Sequence, residues 1–312
     1  LLLVFSAGFV LVLTESALGR MTGSGVLCAY EKISRKLSFA GYLTFITPLI
    51  IFSFYSVVGG WVMFYALQFI FGNGSLLADS GYFSAFTAEP VIPAVFTLIF
   101  IALTAWIVLR GVRRGIEKTT RLLMPVLLVM LVVLAAYCIC MPGGLDGLWY
   151  FFYPDFSKFS AELVLAALGQ MFFTLMIGSG VIMTYGSYLS KKENLVKSAH
   201  SIDFFDTAVA ILAGLLVIPA VFALSGGSPE TLGSGPALMF IALPQVFATF
   251  PLGGLIGAAF FLMVFFAAVT SSVSMYEVAV ASLTEKFSIS RRKAVLGITA
   301  GDSISAVIVS LG

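Results

Sequence analysis

Eight apolar runs divide the chain, at residues 1–18, 39–71, 91–109, 122–141, 163–188, 204–224, 252–283 and 294–311. A helix needs about 20 residues to cross a bilayer, and these runs are of that order. None shows the two-residue alternation of a membrane strand. The pattern therefore predicts eight transmembrane helices. The fifth run carries an interruption. It reads Gly169-Gln170-Met171-Phe172-Phe173-Thr174-Leu175-Met176-Ile177, then Gly178-Ser179-Gly180, then Val181-Ile182-Met183-Thr184-Tyr185. Two glycines around a small polar residue weaken a helix where lipid penalises it most. The apolar stretch 235–250 is short and holds two prolines. It is expected as a folded external loop of two short helices lying over the protein.

Composition sharpens the picture. The chain is 60% hydrophobic and 10% charged, against about 25% charged in a soluble domain. Net charge is only +2, but its placement is informative. Sixteen of the seventeen basic residues fall in alternate connections, after runs one, three, five and seven; Lys158 is the exception. Basic loops face the cytoplasm, so this alternation requires an even number of spans between basic loops and fixes their sidedness. The first residues are already apolar and no Met leads them. The chain is expected to be one partial transmembrane domain, residues 1–312. Cys28, Cys138 and Cys140 make no disulfide or metal framework; Cys138 and Cys140, two apart on a helix, point to different faces.

Polar residues at membrane depth carry the candidate chemistry. Irregular backbone there is tolerated beside protein or a watery cavity, and broken helices at the midplane build binding sites in secondary transporters. Five acids sit within or at the ends of the runs: Glu15, Asp203, Asp206, Glu277 and Asp302. Asp203 reads as a charge at a helix start, where the dipole favours it. Asp206, one turn deeper, reads equally as a cap or an ion ligand. Thr270-Ser271-Ser272 lies in the middle of run seven. These hydroxyls either bond back to carbonyls one turn earlier or, with the Ala267 carbonyl, serve a small hard cation such as sodium. Gly253 and Gly257 read as close helix packing. Tyr55 sits mid-span; its hydroxyl needs a partner, either a neighbouring carbonyl or a ligand carboxylate. Ser179 in Gly-Ser-Gly also suits an intramembrane serine protease, but that needs a base at depth, and the lone His200 reads as an exposed loop residue.

Several of these stretches resemble the neurotransmitter:sodium symporter family, in its bacterial amino-acid-transporter branch. They are Glu15-Ser16-Ala17-Leu18-Gly19-Arg20, Tyr55-Ser56-Val57-Val58-Gly59-Gly60-Trp61, Arg110 through Lys118, Gly169 through Tyr188, and Ala267-Ala268-Val269-Thr270-Ser271-Ser272. The resemblance implies an all-α polytopic membrane protein with the inverted-repeat fold of the leucine transporter, not an enzyme. It also implies that run one corresponds to the family's second helix and the last run to its ninth. The expectation is a truncated form lacking the first helix and those after the ninth, set in a cell membrane, such as a bacterial inner membrane.

Roles follow from the resemblance by position. Substrate contacts are implied for Ile51, Tyr55, Phe173, Thr174, Met176, Ser179, Ser271 and Met275. Sodium ligands are implied at Thr174 and Asp206 for one ion, and at Ala267, Thr270 and Ser271 for a second. Gln170 and Phe173 resemble an external gate, Tyr188 and Glu285 a cytoplasmic one. Met176 stands where a small hydroxyl residue is common, and flexible thioethers suit bulky apolar ligands. The implied activity is sodium-coupled import of a neutral, hydrophobic or aromatic amino acid, with a proton-coupled permease of the same architecture as the alternative. Ala210 stands where chloride-dependent relatives carry Ser, so chloride independence is expected. The expected partners are an amino acid and the lipid bilayer, not nucleic acid.

Overall fold

In lipid every backbone polar group must be satisfied within the chain, which leaves helices as the simplest spanning element. The computed structural model describes residues 1–225, 235–249 and 252–311. It follows that rule. In chain order the helices are α1 (Phe9–Thr22), α2 (Val26–Ile33), α3 (Ser38–Ile70), α4 (Gly74–Leu77), α5 (Tyr82–Ala88), α6 (Val91–Leu109), α7 (Lys118–Ile139), α8 (Gly144–Phe152), α9 (Ala161–Thr174), α10 (Val181–Tyr188), α11 (Leu195–Ser225), α12 (Leu243–Ala248), α13 (Gly253–Phe287) and α14 (Arg291–Leu311). Among the described residues, seven helical stretches are long and apolar enough to cross a membrane. The eighth run is α9 and α10, two short helices separated by the break. A multi-pass membrane protein results.

Helices α3 and α13 form the centre of the packing. At 33 and 35 residues each is about 50 Å long, longer than a hydrocarbon core of about 30 Å. Small residues set the closest approaches. A Cβ on Gly60 would stand 2.6 Å from the Thr97 backbone of α6, and one on Gly257 only 2.2 Å from the Phe69 ring of α3. Among the described residues, two large apolar cores and two small ones result. One large core, toward the external end of α3, joins Tyr65 and Phe69 to Leu131, Leu216 and Phe261. The other, toward the cytoplasmic side, gathers Phe52, Phe100, Met183, Met275 and Tyr276.

The stretch expected to lie over the protein is helical but differently placed. Residues Leu238–Ala242 and α12 are helical, and Phe240, Leu243, Val246 and Phe247 are all buried. The Phe240 ring stacks on Phe83 and meets the edges of Trp61 and Tyr65. The segment is a plug in the external core, because four large apolar side chains would otherwise face water. Phe250 lies outside the described residues. Cys138 is buried and Cys140 exposed, on different faces.

Candidate functional site

The break opens earlier than its glycines. Helix α9 ends at Thr174, and Met176 adopts a left-handed backbone (φ +53°). The Ile177 N–H donates to the Phe172 carbonyl (3.0 Å) and the Met176 N–H to Phe173 (3.2 Å). This is a Schellman stop, in which the left-handed position is usually glycine. Gly178 and Gly180, at φ +78° and +77°, then carry the chain into α10. The Ser179 hydroxyl is turned inward onto the Met176 carbonyl (2.5 Å), and His200 is not a loop residue. It lies on α11 with its ring stacked on Phe9.

Helix α1 braces the opening. A Cβ on Gly19 would lie 2.0 Å from the Met183 carbonyl oxygen, and one on Gly186 2.7 Å from that of Ser16. Backbone-to-backbone contact between α1 and α10 places Glu15 beneath the break. Its Oε1 accepts the Gly178 N–H at 2.7 Å, satisfying a donor the helix has released.

The implied site residues gather in two places. In the first, the Tyr55 hydroxyl of α3 faces the Ser271 side chain of α13. Ile51, Tyr55 and Met176 flank the same cluster that buries Met275, and Ser179 is buried at the break. Thr270 bonds back to the Ala267 (2.9 Å) and Phe266 (3.2 Å) carbonyls, one of the two alternatives its position allowed. In the second place, the Thr174 side chain faces Asp206 and donates to the Gln170 carbonyl (3.1 Å). Gln170, Thr174, Asp206 and Ala210 line one cavity of about 570 Å³. Phe173 stands apart, 62% exposed.

The placement of two acids is also corrected. Helix α11 begins at Leu195, with Asn194 accepting the Lys197 N–H as its cap (3.1 Å). Asp203 and Asp206 are therefore more than two turns inside the helix, not at its start. The polar stretch before residue 204 had hidden that extension. Glu285 and Tyr188, the two implied cytoplasmic-gate residues, are held by different groups. Glu285 accepts the Gly25 N–H (2.6 Å) at the head of α2 and faces Lys32 (3.7 Å). Tyr188 donates instead to Glu277 (2.7 Å), whose two oxygens are held by the Arg291 guanidinium. Arg291 donates in addition to the Val108 carbonyl (2.9 Å). Tyr188, Glu285 and Arg291 nonetheless surround one cavity of about 220 Å³. The Glu277–Arg291 pair was missed because Arg291 reads as one more cytoplasmic cation. An acid inside an apolar run was the available signal.

Comparison with known proteins identifies the family. The family model "Sodium:neurotransmitter symporter family" matches residues 91–311. The chain belongs to the sodium:neurotransmitter symporter family. An uncharacterized sodium-dependent transporter, YhdH of Bacillus subtilis, is 36% identical over 88% of this chain and 61% of its own length. One from Haemophilus influenzae is 32% identical over 93% of this chain and 66% of its own. The chain thus spans less than two thirds of the length of these symporter relatives. The crystal structure of MhsT in complex with L-phenylalanine superposes with a TM-score of 0.89 at 38% identity, covering 99% of this chain and 70% of that one. The all-α transporter fold expected from the sequence is the fold observed, and the family is one of transporters rather than enzymes.

Proposed function

We propose that the intact protein imports a neutral hydrophobic or aromatic amino acid together with sodium by alternating access, and that residues 1–312 are part of one transporter domain. The observation that carries this reading is the convergence of Tyr55, Ser271, Met176 and Met275 beside the broken helix, in a fold that overlaps a phenylalanine complex. A carboxylate-bearing ligand suits the Tyr55 hydroxyl and the N–H groups that the break frees at the head of α10. The apolar walls from Ile51, Met176 and Met275 suit a large apolar side chain, and Phe173 closes over it on the external side with Gln170.

Sodium is cargo in this scheme. Thr174 and Asp206 offer one ion a hydroxyl and a carboxylate; Ala267, Thr270 and Ser271 offer a second ion a carbonyl and two hydroxyls. Thr270 must release its bonds to the helix carbonyls to do so. Two sodium ions moving inward gain about 4.6 kcal/mol per 100 mV, at about 2.3 per charge. Tyr188 with Glu277 and Arg291, and Glu285 beside them, form the cytoplasmic closure. Ala210 leaves the Asp206 region without a chloride ligand, so chloride is dispensable.

Uptake of radiolabelled phenylalanine by the full-length protein in lipid vesicles tests the proposal. An inward sodium gradient should drive accumulation, gluconate should replace chloride without loss, and Trp, Tyr and Leu should compete. Accumulation driven by a pH gradient without sodium would establish the proton-coupled alternative. Preference for Gly or Pro would overturn the substrate class.

A further inference from the structure

A second polar cluster lies at mid-span between α3 and α14, away from the Tyr55 face. Asp302 of α14 is 5% exposed. Its Oδ1 accepts from Ser53 (2.9 Å) and its Oδ2 from Ser56 (3.4 Å); the Ser53 and Ser305 hydroxyls meet at 2.7 Å. Ser53 and Ser56 are three apart on α3, and Asp302 and Ser305 three apart on α14, so each pair shares a helix face. Asp302, Ser53 and Ser305 all line a cavity of about 290 Å³, whose α14 wall also carries Gly297 and Gly301.

Among the described residues, the surroundings offer this carboxyl no cation. Helices α3 and α6, both packed on α14, contain no Asp, Glu, Lys, Arg or His. On α13, Glu277 is held by Arg291 and Tyr188, Glu285 by Gly25 and Lys32, and Lys286 by Glu31. Tyr276 of α13 places its hydroxyl on the Val295 carbonyl (2.9 Å) and Thr299. The nearest cation on α14 itself, Lys293, is nine residues back, roughly 14 Å along the axis. An Asp at a helix centre costs about 2.5–3.5 kcal/mol on insertion scales, and a lone charge in a dry interior costs far more than a neutral acid with hydroxyl partners.

We propose that Asp302 is a proton-binding site at the middle of the bilayer, with Ser53 and Ser305 passing the proton to and from the α3–α14 cavity. In the neutral acid the Ser53 contact is reversed, Oδ1 donating to the hydroxyl; on ionisation that proton passes to Ser53, whose own hydrogen goes to Ser305, which hands its hydrogen on to water in the cavity, and no other bond changes. Ionisation puts one negative charge on α14 against an uncharged α3 and requires water in the cavity. The packing of these two helices thereby responds to pH. The site is separate from the amino-acid site and goes beyond the transport reading.

Infrared spectroscopy of the full-length protein in lipid vesicles, with labelled aspartate, reads the site without requiring transport. The wild type should show a protonated aspartic-acid carbonyl band that fades as the pH is raised between about 5 and 9. Asp302→Asn and Asp302→Leu should both diminish it. In Ser305→Ala the band should persist and its hydrogen–deuterium exchange should slow. Absence of any such band in the wild type would overturn the proposal even if no variant folds. So would a band that is undiminished in either Asp302 variant, Asp203 being a second buried aspartate whose own band would remain, or one that vanishes when sodium replaces potassium at fixed pH, since the occupant would then be the metal ion. None of these outcomes bears on amino-acid uptake.

Discussion

Replacing Arg291 by Met gives the sharpest test of the cytoplasmic closure. Glu277 is 0% exposed, while the Arg291 side chain is 28% exposed. The two ends of the pair are therefore not equivalent. Without the guanidinium, Glu277 keeps only the Tyr188 hydroxyl and cannot reach water. Removing one partner of a buried pair costs about 3–5 kcal/mol, and the lost bond to the Val108 carbonyl adds about 1 kcal/mol. Glu277→Leu is milder. Arg291 can swing into solvent, and the main penalty is the stranded Tyr188 hydroxyl, about 1–3 kcal/mol. The double variant Glu277→Leu/Arg291→Met leaves no buried charge and should be more stable than Arg291→Met alone. A double-mutant cycle on full-length protein, by reversible denaturant titration in detergent micelles, should give a coupling of at least about 2 kcal/mol. If the two single losses simply add, or if Glu277→Leu is the more damaging, Glu277 is solvated and the buried-pair argument is wrong.

Other expected outcomes bear on the remaining parts. Gly19→Ala must push α1 from α10, since its Cβ would lie 2.0 Å from a backbone oxygen; a loss of about 1–3 kcal/mol is expected, and an unchanged unfolding midpoint would mean that the two helices are not in backbone contact. Tyr55→Phe removes the hydroxyl that faces Ser271. Amino-acid affinity, measured by equilibrium binding, should weaken by about 1–2 kcal/mol, roughly 5–30-fold, with little change in melting temperature; unchanged affinity would remove Tyr55 from the site. The Lys286 ammonium holds the Glu31 carboxyl below the ordinary carboxylate range. Its contribution is therefore present near neutral pH and disappears as pH falls through that lowered range. Glu31→Gln should lower the melting temperature at pH 7 and converge with wild type in strong acid, whereas a difference that grows in acid would reverse the assigned sign.

How much of this was legible in the sequence depends on which physical constraint set each feature. The spans were legible because the bilayer sets their length and basic loops set their sidedness; α6 begins and ends where its apolar run does. The break was legible because two glycines at mid-span have few other uses. Its true start was not. Met is a good helix former, so nothing local marks Met176 as the left-handed residue that stops α9; the stop is set by packing against the cytoplasmic core. The extension of α11 to Leu195 was hidden for the opposite reason. Hydropathy reports burial in lipid, and a helix that continues into the cytoplasmic layer turns polar without ending. Partner choice is the least legible level. Tyr188, Glu277, Glu285 and Arg291 are all visible as residue types, yet which carboxylate meets which hydroxyl depends on how α10 and α13 cross. A buried acid in an apolar run therefore announces that a partner exists, while the identity of that partner is a property of the packing. Glu15, Glu277 and Asp302 show the range of answers, since they are met respectively by a freed backbone N–H, by a guanidinium, and by hydroxyls alone.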